Sequence, residues 1–155
     1  MFKGFDISAS ALTAQSLRLS VISSNMANAD VTRGKVENGE LVPYRRKMTV
    51  FESVDGQKNF PAALRRSMQS QVGSGVKVSR IVEDQTPFKL VYDPEHPDAI
   101  KDVNSPQYGY VRLPNVDRAT EMVDLISTTR AFEANVTVFN SHKAMAMKAL
   151  EIGKS

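Results

Sequence analysis

Residues 115–153 have the sequence NVDRATEMVDLISTTRAFEANVTVFNSHKAMAMKALEIG, and this stretch decides the fold. It contains no proline and no glycine before Gly153, and its apolar residues recur at alternating steps of three and four, the spacing of one helical face. The nine positions of this stripe, seven of them apolar, are Met122, Leu125, Thr129, Phe132, Val136, Phe139, Lys143, Ala146 and Leu150. With Asn115 and Gly153 as candidate caps, the pattern predicts a helix over 116–152, about 55 Å long at roughly 1.5 Å per residue.

The other end of the chain carries a thinner stripe with the same spacing. Residues 6–29 contain no proline or glycine, and Asp6 or Ser8 is a candidate N-cap. The eight stripe positions, six of them apolar, are Phe5, Ser8, Leu12, Gln15, Leu19, Ile22, Met26 and Ala29. These features predict a second helix. Because the two helices lie at opposite ends of the chain, an antiparallel pair or coiled coil is the simplest arrangement.

Between the helices, glycine, proline and β-branched residues become frequent and the apolar period becomes two. Four or five short strands are predicted, with runs at 44–51, 76–82, 90–92 and 110–113. Residues 53–74 show no clear period and predict an exposed loop. The predicted fold class is therefore α+β, with an N-terminal helix in 1–31, a small β-rich middle domain in 32–114 and a C-terminal helix in 115–155.

The composition excludes several classes of protein. The chain has 155 residues, a net charge of +3 and 41% hydrophobic residues, which is enough for a packed core. It has no cysteine and only His96 and His142, which excludes cysteine nucleophiles, cysteine-based zinc sites and multi-histidine metal centres. No phosphate-binding glycine motif and no nucleophile elbow occur. We therefore expect no enzyme, no catalytic residue, no cofactor and no bound metal.

No segment has the character of a targeting or membrane-spanning element. The first twenty residues lack the basic start and apolar run of a cleavable secretory signal. The longest apolar run is 144–147, far shorter than the roughly 20 residues that span a bilayer. We expect a soluble chain without direct membrane insertion, and any export from the cytoplasm to follow a route that needs no cleavable signal.

Charge is unevenly distributed along the middle of the chain. Residues 41–80 carry eight basic and two acidic side chains, whereas residues 81–114 carry three basic and six acidic ones. The basic cluster YRRK at 44–47 could contact phosphates, but on a predicted strand Arg46 faces away from Arg45 and Lys47. Salt bridges to an acidic protein neighbour or to acidic residues in 81–102 are therefore favoured, and no nucleic-acid partner is expected.

Residues 93–98, DPEHPD, place three carboxylates and one imidazole close together in sequence. Such a set could ligate a metal or transfer protons. The two prolines oppose the convergence that ligation needs, because each fixes its backbone φ angle. A rigid turn held by hydrogen bonds from side chains to the backbone is therefore the favoured interpretation.

The helical stripes admit two interpretations, an intramolecular core or packing between subunits. A helix of about 55 Å exceeds the diameter of about 40 Å expected for a compact globule of this length. Asn25, Asn28 and Asn135 lie on the predicted helices, where asparagine is a poor helix former that can set the register of an interface. Packing between subunits is therefore favoured.

At this point several strings resemble a known family. Residues 10–19, SALTAQSLRL, followed by 23–29, SSNMANA, are similar to the N-terminal signature of flagellar axial proteins, the rod and hook family. Further strings resemble the proximal-rod branch of that family, the FlgC type: PYRRK at 43–47, GVKV at 75–78, VYDPEHPDA at 91–99, EMVDL at 121–125 and RAFEAN at 130–135. Their joint order covers nearly the whole chain.

The resemblance implies a structural subunit of the proximal rod in the flagellar basal body. In such a subunit the terminal segments form axial helices around a hollow drive shaft, and the middle region forms an outer domain. Export through the flagellar type III apparatus without a cleavable signal, and a place in the periplasmic rod, are implied with it. The implied partners are further copies of the chain, other proximal rod proteins, the rod-to-ring adaptor, the distal rod protein and the export apparatus.

Torque is expected to pass through bundles of the terminal helices. The predicted assembly interface has Leu12, Leu19, Ile22 and Met26 packing on Leu125, Phe132, Val136 and Phe139, with Asn25, Asn28 and Asn135 setting the register. Met122, from the stripe, and Arg130, from the resemblance, complete it. Two alternatives remain open from the residues alone: a soluble helical binding module or export chaperone, and a small nucleic-acid binder.

Overall fold

The structure is a computed structural model that describes residues 2–37, 39–54, 74–102 and 105–153. Within them, two helices and six strands follow in the order α1 (Phe2–Ala27), β1 (Lys35–Glu37), β2 (Glu40–Val42), β3 (Lys47–Ser53), β4 (Val76–Glu83), β5 (Lys89–Tyr92), β6 (Tyr110–Leu113) and α2 (Arg118–Ile152). The predicted loop at 53–74 lies almost entirely outside the described residues. The two helices pack together, with the ring of Phe5 against that of Phe139, and the strands lie between them in sequence. This confirms long terminal helices and a small strand-containing middle region.

The first helix, α1, begins at Phe2, so Asp6 and Ser8 lie inside it and the predicted N-cap is wrong. The early start includes Gly4, a poor helix former. Its missing side chain gives α2 room, because a Cβ atom at Gly4 would lie only 2.9 Å from Nε2 of His142. Ser8 is buried instead of capping the helix. Packing against the second helix therefore overrides the local capping signal.

The second helix, α2, is capped by Asp117 and not by Asn115, which corrects the predicted cap. Oδ1 of Asp117 accepts the amide N–H of Ala119 at 3.2 Å, and Oδ2 accepts the hydroxyl of Thr120 at 2.9 Å. These hydrogen bonds, that of Thr120 foremost, hold the pKa of the Asp117 carboxyl below its ordinary value. Asn115 is unavailable as a cap because its amide binds residues of the middle region. At the other end, Gly153 follows the last helical residue, as predicted.

The strands form three two-stranded sheets, β1 with β2, β3 with β4 and β5 with β6. In β5–β6 the strands are antiparallel, with Val91 opposite Val111 and Tyr92 opposite Tyr110. The hairpin β1–β2, in which Glu37 lies opposite Glu40, was not predicted. The Asn-Gly pair at positions 38 and 39, a common two-residue hairpin turn, is the signal that could have identified it. Gly39 has a φ angle of 87°, which favours glycine.

The chain forms two compact units, and each helix contributes to both. Unit 1 comprises the described residues of Met1–Leu19, Thr49–Arg80 and Ile126–Ser155; unit 2 comprises Ser20–Met48 and the described residues of Ile81–Leu125. Unit 1 buries Ser8, Ala14 and Thr128 and contains the edge-on contact between Phe5 and Phe139, whose ring centroids are 5.1 Å apart. The apolar residues buried in unit 2 are Val21, Ile22, Ala29, Ala99, Val111 and Val116. No helix in the described ranges has the length and apolarity needed to cross a lipid bilayer.

Candidate functional site

Unit 2 contains a buried polar cluster centred on Asn25 of α1. The Asn25 side chain is only 1% exposed. Its Oδ1 accepts the hydroxyl of Tyr44 at 3.0 Å and the amide N–H of Lys47 at 2.9 Å, while its Nδ2 donates to the carbonyl of Lys47 at 2.8 Å and to Glu121 at 3.1 Å. Both donor and both acceptor positions of the amide are therefore used. Asn25 connects α1, the start of β3 and α2 through one side chain.

Glu121, in the first turn of α2, is the acidic member of this cluster and is fully buried. Its Oε1 accepts the Nε–H of Arg46 at 2.5 Å, and its Oε2 accepts the amide of Asn25. The positive end of the helix dipole favours a carboxylate at this position. A buried carboxylate is costly unless it is paired and hydrogen bonded, and here both conditions are met.

Arg46, just before β3, is the cation of the cluster. Its Nη2 lies 3.1 Å from Oδ2 of Asp124, and its Nη1 lies 4.0 Å from Oδ2 of Asp84. Burial opposes the charge of the guanidinium, but the hydrogen bond and charge of Glu121, followed by the charges of Asp124 and Asp84, outweigh it and raise the pKa of Arg46. Of these three carboxylates, only Asp84 lies in the predicted acidic stretch 81–102, and it is the most distant; the two closer ones belong to α2.

Asn115 completes the cluster from the segment that precedes α2. Its Oδ1 accepts the amide N–H of Arg46 at 2.8 Å. Its Nδ2 donates to the carbonyl of Asp84 at 3.1 Å and to Oγ1 of Thr86 at 2.9 Å. The amide therefore joins two backbone segments that pass beside α2. We call Asn25, Tyr44, Arg46, Asp84, Asn115, Glu121 and Asp124 the Arg46 cluster.

The Arg46 cluster has the character of a structural joint. Its charged and amide groups are engaged with one another and are largely removed from solvent. Such a network rigidifies a fold and specifies one arrangement of its elements, because each unsatisfied member would be costly. Across the described residues, no group of three or more histidines, aspartates or glutamates could hold a metal ion.

The turn at 93–98 is held as the sequence predicts, by bonds between side chains and the backbone. The amide N–H of Asp98 donates to Nδ1 of His96 at 3.1 Å, and that of Glu95 donates to Oδ1 of Asp93 at 3.3 Å. The Asp98 carboxylate pairs with Arg33 at 2.6 Å. The hydrogen bonds from Arg33 and then from the hydroxyl of Thr32 hold the pKa of Asp98 below its ordinary value.

The residues of the predicted assembly interface differ in exposure within this chain. Ile22 and Asn25 are buried, whereas Met122 and Arg130 are exposed. Leu12, Leu19, Met26, Asn28, Leu125, Phe132, Asn135, Val136 and Phe139 are half-buried. Asn28, just after α1, donates to the carbonyl of Ser24 in that helix, and Asn135 donates to the carbonyl of Ala131 within α2. Asn25 is thus the member of this asparagine set whose amide joins α1 to α2.

Sequence reasoning selected only Asn25 of the Arg46 cluster as a site residue and missed the other six members: Tyr44, Arg46, Asp84, Asn115, Glu121 and Asp124. Tyr44 and Arg46 lie in the string PYRRK and Glu121 lies in EMVDL, both quoted for the resemblance. A buried partner for a glutamate in the first turn could not be inferred from local pattern, because Arg46 and Glu121 are 75 positions apart in sequence. The available signal was the excess of basic residues in 41–80.

Comparison with known proteins finds two family models that match the two ends of the chain. A family model described as "Flagella basal body rod protein" matches residues 5–34, and one described as "Flagellar basal body rod FlgEFG protein C-terminal" matches residues 107–152. The first match covers most of α1, and the second covers β6 and α2. The two terminal helices therefore carry the family signal.

Full-length relatives are similar to the chain from end to end. The flagellar basal-body rod protein FlgC of Bacillus subtilis strain 168 is 54% identical over 155 residues, covering 99% of this chain and 98% of the relative. FlgC of Salmonella typhimurium strain LT2 is 43% identical, covering 97% and 96%, and FlgC of Borreliella burgdorferi is 41% identical, covering 98% and 97%. Rod proteins are structural components and not enzymes, and a binding module or chaperone finds no support among these relatives. The chain therefore belongs to the FlgC family of flagellar basal-body rod proteins.

Proposed function

We propose that the chain is a structural subunit of the proximal rod, which joins copies of itself and other rod proteins through its terminal helices. The product is a hollow shaft that transmits torque. The observation that carries this proposal is the set of large apolar side chains exposed on α2: Met122, Val123, Ile126, Val138, Met145, Met147, Leu150 and Ile152. A surface helix of a monomeric protein normally presents polar residues to solvent, so this exposure supports burial in an assembly.

We infer an antiparallel packing of the two helices. Phe5, early in α1, contacts Phe139, late in α2, whereas Asn25, late in α1, binds Glu121, early in α2. With the two helices packed in this way, we propose three parts of the chain: axial helices in 1–31 and 115–155, and an outer domain in 32–114. In the shaft, helices of neighbouring subunits form a coiled-coil bundle through the stripe residues of both helices.

The partners of the subunit follow from its place in the rod. They are further copies of the chain, other proximal rod proteins, the rod-to-ring adaptor and the distal rod protein. The chain reaches the periplasmic part of the basal body through the flagellar type III export apparatus. The family membership and the exposed apolar residues of α2 support this assignment.

The test is the substitution Met122→Glu in a flagellated bacterium that carries the chain as its only copy of this subunit. Met122 is exposed in the single subunit, so its replacement leaves the fold intact. Burial of the new carboxylate in an assembly would be costly, and we expect incorporation into isolated basal bodies to fall by at least about tenfold. Incorporation is measured by immunoblot as the amount of the subunit relative to the amount of a ring protein in the same basal bodies.

Ser127→Glu provides the matched control, since Ser127 is a polar, exposed residue of the same helix. Export of both variants is measured separately, so that a defect in secretion is distinguished from a defect in assembly. Incorporation of Met122→Glu at the level of Ser127→Glu would overturn the proposal that this face of α2 is buried in the rod.

A further inference from the structure

The outer edge of β5 is a strand edge without a partner in the described part of the chain. Its hydrogen-bonding direction is set by the amide N–H of Asp93, which donates to the carbonyl of Gly109 at 3.0 Å. In an antiparallel pair, alternate residues turn their N–H and C=O groups toward the partner strand. Lys89 and Val91 therefore bond to β6, and the backbone groups of Leu90 and Tyr92 point away from it.

This edge is only partly protected, by the shortness of β5 and by Lys89 at its start. Native proteins protect exposed edges with prolines, inward charges, bulges or covering elements. All four residues of β5 are exposed, and the last three, Leu90, Val91 and Tyr92, carry no charge. Proline lies only outside the strand, at Pro87 and Pro94. The edge can thus pair with another short strand, and the two prolines limit the length of that pairing at both ends.

We propose that β5 pairs antiparallel with β5 of a second copy of the chain. Backbone bonds can form only between residues whose groups point outward, so Leu90 and Tyr92 must pair with Leu90 or Tyr92 of the second copy. Three registers satisfy this condition. In one of them Leu90 of each copy lies opposite Tyr92 of the other copy. This gives two equivalent residue pairs, and each pair exchanges two hydrogen bonds.

Charge selects this register. It places Lys89 opposite Asp93 of the second copy, and the twofold symmetry repeats the pair. The Asp93 carboxylate accepts the amide N–H of Glu95 and makes no ion pair within the described residues. Opposite charges on facing strand positions stabilise a sheet, and in the other two registers Lys89 and Asp93 do not face each other.

Side-chain packing favours the same register. Val91, which is 46% exposed, would lie opposite Val91 of the second copy, and each is flanked by the buried Val111 of its own β6. On the other face, Leu90 would lie beside Tyr92 of the second copy. That tyrosine already packs edge-on against Tyr110 at 5.2 Å. The result is a four-stranded sheet. Val111 and Val91 of both copies form a row of four valines on one face, and on the other face two equivalent rows each contain Tyr110, Tyr92 and Leu90 of the other copy.

This contact goes beyond the proposed function. It is isologous, with the same surface on both copies, whereas a shaft built of one repeating contact requires a heterologous interface. The pairing therefore belongs to subunits outside the shaft, where it protects the edge of β5 from unrelated strands. Its failure would leave assembly through the helices untouched.

The first test uses single cysteines, because the chain contains none. In the inferred register the two Val91 positions form a non-hydrogen-bonded pair, with Cα atoms about 4.5 Å apart, which a disulfide can bridge. Leu90→Cys is the matched control, because Leu90 is 44% exposed against 46% for Val91. Its counterpart in the second copy lies beyond the about 7 Å that a disulfide can span.

In a glutathione redox buffer we expect Val91→Cys to form the covalent dimer at least about tenfold faster than Leu90→Cys, with the difference abolished in urea. Equal rates, or a faster Leu90→Cys, would overturn the proposal.

The second test is a charge exchange in the full chain, read by sedimentation at high protein concentration. Lys89→Asp and Asp93→Lys each place like charges opposite one another twice, and we expect each to raise the dimer dissociation constant about tenfold. The double variant restores opposite charges and is expected to return close to the parent value. A double variant no tighter than either single variant would refute the register.

Discussion

Asn25 of α1 donates a hydrogen bond of 3.1 Å to Glu121 of α2, and both side chains are buried. The two residues lie 96 positions apart in sequence, so this bond closes the loop formed by the whole middle region. Arg46 binds the other oxygen of Glu121. One carboxylate therefore joins the two terminal helices to the start of β3.

Replacement of Asn25 by aspartate should destabilise unit 2 strongly. The new carboxylate would lose both amide donors and lie against Glu121 in a buried position, at a cost of about 3–5 kcal/mol. Asn28→Asp is the control, because the side chain of Asn28 donates to the carbonyl of Ser24, four residues earlier, and makes no bond to α2 within the described residues. Urea unfolding followed by circular dichroism measures both. Equal losses in the two variants would show that the buried network is not decisive.

Removal of both members of the Arg46–Glu121 ion pair should cost less than the sum of their separate removals. Arg46→Met leaves Glu121 buried without its charged partner, and we expect a loss of about 3–5 kcal/mol in the free energy of unfolding. Combination with Glu121→Met should cost at least about 1 kcal/mol less than the sum of the single losses, since the partner charge is gone too.

Arg45→Met is the control for this cycle. Arg45 lies over the ring of Phe88 at 4.3 Å, and its loss should cost about 1 kcal/mol. Strict additivity of Arg46→Met and Glu121→Met would contradict the coupling inferred from their contact.

Asp98 should give the stability of the chain an acid-sensitive component. Arg33 and Thr32 lower the pKa of its carboxyl, so the folded chain binds fewer protons there than the unfolded chain. The stabilisation is complete above the ordinary aspartate pKa of about 3.9 and is lost as the pH falls through the lower folded value. Below about pH 4, the urea midpoint of the parent should therefore fall more steeply than that of Asp98→Asn. Parallel pH profiles would rule this component out.

Gly4→Ala should stabilise the chain more when His142 is absent than in the parent. In the parent, the added Cβ atom would meet the imidazole of His142 at 2.9 Å, which offsets the gain of about 1 kcal/mol in helix propensity. In a His142→Ala background the space is free and the gain should appear in full. Thermal unfolding of the four proteins measures the difference. The same effect of Gly4→Ala in both backgrounds would exclude a close approach of His142.

The helices and most of the strands could be predicted from local pattern, and the reasons are local. Alternation of apolar residues at steps of three and four requires neighbouring residues only, and α1 and α2 follow it. The errors arose where distant residues competed for the same group. Asn115 was a plausible cap, but its amide is used by Arg46 and Asp84, so Asp117 caps α2 in its place. The β1–β2 hairpin was missed although its turn signal was present.

Local sequence was sufficient for two long helices and for most of the short strands between them. It also contained the strings shared with rod proteins. The tertiary structure decided which polar residues are buried: Asn25 in preference to Asn28 and Asn135, and Glu121 in preference to its acidic neighbour Asp117. The reason is physical. Burial of a polar group is stable only when partners from other segments satisfy it, and those partners, Arg46 and Lys47 among them, come together only in the folded chain.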